Sequence, residues 1–169
     1  MAYSDSDPVN NGSGKLNPDD GTYYNTFRMH EAVDISYTKS DEIDNNPYNV
    51  VDPMMDQLYV GWTEPGEWIR YTVNIQKAGK YRLSLMYTAN RDGVISLSLD
   101  GKDVSGELLV RSTYSFQETV SWRQWHHWNK AENLATFSLP AGIHVLTLHT
   151  VEKGNMNYDF LDFTLLEEE

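Results

Sequence analysis

Between Trp68 and Leu99 polar and apolar residues alternate with a period of two, and this pattern limits the chain to strands with one buried face. Ile69, Tyr71, Val73 and Ile75 alternate with Trp68, Arg70, Thr72 and Asn74. Successive side chains of a strand point to opposite faces, so this spacing gathers four apolar groups on one side. After Lys77-Ala78-Gly79-Lys80, which reads as a turn, Tyr81, Leu83, Leu85, Tyr87 and Ala89 alternate with Arg82, Ser84 and Thr88. The two runs are expected to pair as an antiparallel hairpin. Asn90-Arg91-Asp92-Gly93 turns the chain again, and Ile95, Leu97 and Leu99 alternate up to the tight-turn dipeptide Asp100-Gly101. Further strands are expected over 134–139, 143–150 and 157–166, with Pro140-Ala141-Gly142 between the first two. Short strands at regular spacing, with no long amphipathic helix and no fixed-period repeat, predict an all-β sandwich.

A chain of 169 residues suffices for one core without staples, and it contains no cysteine for disulfides or thiolate metal sites. Residues 1–25 are Asp, Ser, Asn, Gly and Pro with hardly an aliphatic side chain, and read as a flexible leader or linker. The folded domain is then expected over 26–169. Asn11-Gly12-Ser13 fits a glycosylation acceptor, a match that chance readily produces in so polar a segment. Segment 38–56 is rich in Asp, Asn and Pro and reads as a long loop, a place where function often sits. A formal charge of -12, from 25 acidic and 13 basic residues, repels a polyphosphate and argues against nucleic acid. No run of 18 apolar residues occurs, so no membrane-spanning helix is expected.

Trp122-Arg123-Gln124-Trp125-His126-His127-Trp128 places three indoles and two imidazoles in seven residues. Large rigid rings bury much area at little conformational cost and stack on flat apolar surfaces, one of which is the underside of a sugar ring. Tryptophan is also a common core residue. On an extended strand a three-residue step changes face, which would split Trp122 from Trp125 and Trp125 from Trp128.

Several segments occur in a set order: Glu67-Trp68-Ile69-Arg70-Tyr71, Ala78-Gly79-Lys80-Tyr81, Leu99-Asp100-Gly101, Trp125-His126-His127-Trp128, Leu139-Pro140-Ala141-Gly142-Ile143-His144 and Asn157-Tyr158-Asp159-Phe160. Over about residues 27–166 the chain resembles carbohydrate-binding module family 6 and its close relatives. The resemblance implies a jelly-roll β-sandwich of two antiparallel sheets. It also implies a non-catalytic domain that holds an attached glycoside hydrolase on a polysaccharide or oligosaccharide of the β-glucan or xylan type. Such a protein is expected to be monomeric and extracellular, cell-surface or periplasmic. By position, the sugar would lie between Trp62 and Trp125, with Asn157 bonding its hydroxyls and Trp122 as a candidate cleft wall. Trp128 is then the core ring, and the two histidines are polar neighbours of Trp125. A pyranose between rings needs partners for its hydroxyls, and Asn supplies both a donor and an acceptor. The resemblance further implies one structural calcium ion, with Glu31 and Asp159 at matched positions and Val33 where a further carboxylate usually stands.

Other readings remain beside this one. A glycosidase needs two opposed carboxylates, and so acidic a chain offers pairs such as Glu64 and Glu67 without singling any out. His126 and His127 diverge on a strand and lack convergent zinc-ligand spacing. No nucleophile motif or phosphate-cradling loop occurs. The alternatives are a structural or protein-interaction sandwich at the cell surface and, behind it, a small glycoside hydrolase.

Overall fold

The alternating runs do become strands, but the first two do not pair with each other. A computed structural model of the protein describes residues 2–12, 15–16, 23–24, 28, 30–152 and 155–168. Its strands are β1 (Ala2–Ser4), β2 (Lys15–Leu16), β3 (Tyr23–Tyr24), β4 (Ile35–Tyr37), β5 (Leu58–Val60), β6 (Trp68–Ile75) and β7 (Gly79–Ala89). They continue with β8 (Gly93–Leu99), β9 (Lys102–Asp103), β10 (Leu108–Val110), β11 (Asn129–Leu139), β12 (Gly142–Glu152) and β13 (Met156–Glu168). One sheet has the order β1-β6-β12-β8-β10, with β9 added to β8, and the other β11-β7-β13-β5-β4. Every pairing in these sheets is antiparallel. The molecule is the jelly-roll β-sandwich that the resemblance implied.

The expected β6/β7 hairpin is thus corrected. β6 pairs with β12 and β1, β7 pairs with β11 and β13, and the chain crosses from one sheet to the other between them. Alternation states which face of a strand is buried but not which strand lies beside it. Two apolar faces bury each other only when they belong to facing sheets, and the chain achieves this by switching sheets at nearly every long strand. Gly79 permits the first crossing: a Cβ there would lie 2.1 Å from the Glu167 carbonyl oxygen, so only glycine lets β7 start against β13. The turn at Asp100-Gly101 does join a hairpin, with Ser98 opposite Asp103 and positive φ at both turn residues.

The core lies between the sheets. Ile69 from β6, Leu83, Leu85 and Tyr87 from β7, Ile95 and Leu97 from β8, Leu146 and Leu148 from β12, and Met156 and Tyr158 from β13 are all buried there. Those from β6, β7 and β8 are inward residues of the alternating pattern, whereas β12 buries Leu146 and Leu148 and leaves Ile143 and Val145 exposed.

Residues 2–12 lie against the sandwich. β1 closes the edge of the first sheet beside Trp68, Ile69 and Arg70. Ser6 bonds the Glu67 carboxylate through both its N–H and its hydroxyl, and the Asn11 N–H donates to Asp34. A polar segment can dock this way because an edge strand supplies backbone partners that need no apolar side chain. Ser13 of the glycosylation pattern lies outside the described residues.

The outer face of the second sheet is covered where that of the first is bare. The 38–56 loop and the 111–128 segment pack over β7 and β5, burying Tyr59, Met86 and Trp128 as a small second core. Asn46 and Asn49 stitch the two together, through Nδ2 of Asn46 to the His126 carbonyl and Oδ1 of Asn49 to the Trp128 N–H.

Candidate functional site

At one end of this covered face is a cleft of about 370 Å³ lined by Tyr59, Trp62, Trp122, Trp125, His126, Asn155 and Asn157. It brings together the four residues singled out from the sequence, Trp62, Trp122, Trp125 and Asn157. They arrive from the β5–β6 connection, a short 3₁₀ helix over Ser121–Trp125, and the start of β13. The tryptophan-rich segment is therefore helical before it is extended, so strand parity does not separate Trp122 from Trp125. Both line the cleft, whereas Trp128 enters the second core and is fully buried.

Backbone geometry presents the rings. Trp62 is 46% exposed and holds φ at +51°, a left-handed conformation that disfavours a bulky residue. Gly61 precedes it because Asn157 comes so close: a Cβ on Gly61 would lie 2.6 Å from Asn157 Oδ1. On the other wall, the Trp125 carbonyl accepts from Asn157 Nδ2 at 2.8 Å and from the Thr88 hydroxyl at 2.6 Å. Thr88 and Asn157 are cross-strand neighbours on β7 and β13, so the sheet itself holds the helix end. Among the described residues the bond to the Trp125 carbonyl is the one hydrogen bond made by the Asn157 side chain.

Asp44 organises the polar layer beneath. Its side chain is fully buried, and Oδ1 accepts from Trp128 Nε1 at 2.7 Å and lies 2.8 Å from His126 Nδ1. Oδ2 accepts from the Lys39 N–H at 2.8 Å. Burial alone would raise its pKa, but the hydrogen bonds from His126 and Trp128 hold it below the usual carboxylate value. His127 differs from its neighbour. It is fully buried between the rings of Tyr48 and Tyr114, with Nδ1 accepting from the Ser115 N–H and Nε2 donating to Glu118. Of the two histidines only His126 lines the cleft, so the expectation that both flank Trp125 as polar neighbours holds for one.

Glu31 and Asp159, the implied calcium ligands, differ in their surroundings. Glu31 is ion-paired with Arg28, and Val33 is a buried apolar residue. Both oxygens of Asp159 are buried without a hydrogen-bond partner among the described residues. Burial, with the charge of Asp44 added to it, pushes its carboxyl up to about 7. Calcium takes six to eight oxygens from carboxylates, carbonyls and water, and no group of three or more His, Cys, Asp or Glu side chains gathers among the described residues. A buried carboxylate of this kind needs either a proton or a cation.

Sequence reasoning missed Tyr59, Asn155 and the support from Asp44 and Thr88. The long loop carrying Asp44 was a signal, but nothing in the sequence shows where that loop lies. A second, shallower groove of about 980 Å³ crosses the bare outer face of the first sheet, where the Arg70 guanidinium lies 4.2 Å over the Trp68 ring and Ser98 bonds His149. Among the described residues no helix is long and apolar enough to cross a membrane.

The family model for carbohydrate binding module (family 6) matches residues 31–165. No curated protein matches the sequence. Among solved structures, the chain is similar to the C-terminal family 6 module of a marine laminarinase from Zobellia galactanivorans, with 25% identity and a TM-score of 0.53, covering 64% of this chain and 81% of that one. It is also similar to a module of lichenase 5A from Cellvibrio mixtus, solved with cellotriose, at 18% identity and a TM-score of 0.55, covering 80% and 88%. A third likeness is to a family 43 arabinoxylan arabinofuranohydrolase from Bacillus subtilis, solved with cellotetraose, at 21% identity and a TM-score of 0.55, covering 79% of this chain and 25% of that one.

Proposed function

Because the chain belongs to carbohydrate-binding module family 6, we propose that its ring-lined cleft binds a β-linked glycan, of β-glucan or xylan type, and so holds an attached polysaccharide-degrading enzyme on its substrate. One observation carries the reading. Trp62, Trp122, Trp125 and Asn157, from three separate parts of the chain, line one cleft. Trp62 and Trp122 are 46% and 50% exposed, which speaks against a sandwich that merely packs its rings inside. β-Linked glucose and xylose carry equatorial hydroxyls and so offer flat C–H faces to indoles, while the Asn157 amide meets the hydroxyls at the edge. The net charge of -12 suits a neutral glycan. The cellotriose of the lichenase module and the small share of the arabinofuranohydrolase that this chain matches support, respectively, the ligand class and the attachment to an enzyme. A polysaccharide ligand also places the protein outside the cytoplasm.

Calorimetry with cellotriose, cellotetraose and xylotetraose tests the reading. Wild type is expected to bind at least one of them with Kd between about 10 µM and 1 mM. Trp125→Ala should raise that Kd about 30-fold, the scale of a buried aromatic anchor, and Trp62→Ala by a similar factor. Undiminished binding by both variants would remove the cleft from the function.

A further inference from the structure

The imidazole of His126 has no part in the ring-and-asparagine scheme. His126 lines the cleft, and its Nδ1 lies 2.8 Å from Oδ1 of the fully buried Asp44. Both Asp44 oxygens act as acceptors, Oδ1 from Trp128 Nε1 and Oδ2 from the Lys39 N–H, so whenever the His126 ring is neutral its proton sits on Nδ1. Nε2 is then an unprotonated acceptor, and among the described residues no hydrogen bond is made to it.

The ring is held rather than loosely placed. The His126 N–H donates to the Arg123 carbonyl, and the His126 carbonyl accepts from Asn46 Nδ2. Trp122 meets the imidazole edge-on at 6.4 Å between centroids. Asp44 is anchored in turn by Trp128 Nε1 and the Lys39 N–H, and its carbonyl by Asn49 Nδ2. His127 provides an internal contrast. Both its nitrogens are engaged by protein groups, and it carries its proton on the other nitrogen.

We infer that His126 Nε2 accepts a hydrogen bond from a sugar hydroxyl in the cleft, and that Asp44 is the positioning residue that fixes the tautomer; the inference rests on the glycan-binding reading above. A carboxylate orienting an imidazole through Nδ1 leaves Nε2 aimed and preorganised, so little ordering cost remains when ligand arrives. Asn157 then serves one part of the sugar and His126 another, which adds selection for hydroxyl orientation to the nonselective ring stack.

The test combines long-range 1H–15N spectra with calorimetry at pH 7.5, using cellotetraose and xylotetraose as probes. In the free protein His126 should show a protonated Nδ1 and an unprotonated Nε2, and only that Nε2 signal should move on saturation with the sugar that binds, while the His127 signals stay in place. His126→Phe should raise Kd five- to tenfold, about the loss expected for one neutral hydrogen bond. His126→Gln, which retains an acceptor near the position of Nε2, should stay within about threefold of wild type on the same scale. An Nε2–H tautomer in the free protein, or unchanged affinity in His126→Phe, would overturn the inference alone. A wild type that binds neither sugar overturns it together with the reading it rests on, before any variant is compared.

Discussion

The two outer faces of the sandwich start from the same period-two code and end differently. On the first sheet, β6 keeps a clean alternation: Ile69, Tyr71, Val73 and Ile75 turn toward the core, while Arg70, Thr72 and Asn74 are exposed. On the second sheet, every residue of β7 from Leu83 to Ala89 is buried, the polar Ser84 and Thr88 included. The difference is the cover of 38–56 and 111–128, which turns an outer face into a second small core around Met86. Covering a sheet face with loops costs hydrogen-bond partners for every buried polar group, and Asp44, Asn46, Asn49 and His127 supply them. The ring cleft lies at the margin of this built layer. The bare face has only a shallow groove with Arg70 lying on Trp68.

The largest test of that contrast is a pair of tryptophans. Trp128→Ala removes the fully buried ring of the covered face and the Nε1 donor to Asp44, and should cost about 3–5 kcal/mol by urea unfolding. Trp68→Ala on the bare face should cost about 1 kcal/mol or less, the scale of a half-exposed ring with one cation–π contact, and should leave glycan affinity unchanged. Equal costs would mean that the loops are not a second core, and a loss of affinity in Trp68→Ala would move function onto the groove.

A smaller effect concerns Asp159. Its pKa is raised to about 7 in the folded protein, against 3.8 for the ordinary group, so the native state binds more protons between those values and stability falls as pH rises through that window. Asp159→Asn, neutral at all pH, should melt about 2–4 °C above wild type at pH 8, with the difference closing by pH 5. A pH-independent difference would show that the acid is not held protonated. Smallest of all, millimolar calcium against a chelator should move the melting temperature by less than about 1 °C, since a ligand stabilises only a state that binds it. A rise of several degrees would restore the ion at Asp159.

The strands and their buried faces could be read from residue order, because a period of two is a local property of the backbone. The 3₁₀ turn at Ser121–Trp125 could not be read from the spacing of its rings. It is set by contacts that arrive from elsewhere, such as Thr88 and Asn157 on the Trp125 carbonyl. The contact of residues 2–4 with β6 could not be read from composition, which lacks apolar groups, because an edge strand binds through its backbone. Likewise, two adjacent histidines look equivalent in sequence and are opposites in structure, since their surroundings come from Asp44 on one side and Glu118 on the other.

By itself the sequence determined the all-β class, the inward residues of β6, β7 and β8, and the family, because local alternation and ordered motifs survive without knowledge of partners. Only the tertiary structure decided which strands lie side by side, that the 38–56 loop reaches across to hold His126, and that a 3₁₀ turn brings Trp122 and Trp125 to the same cleft. Those outcomes depend on which surfaces bury each other, a contest among parts of the chain that no single stretch of residues contains.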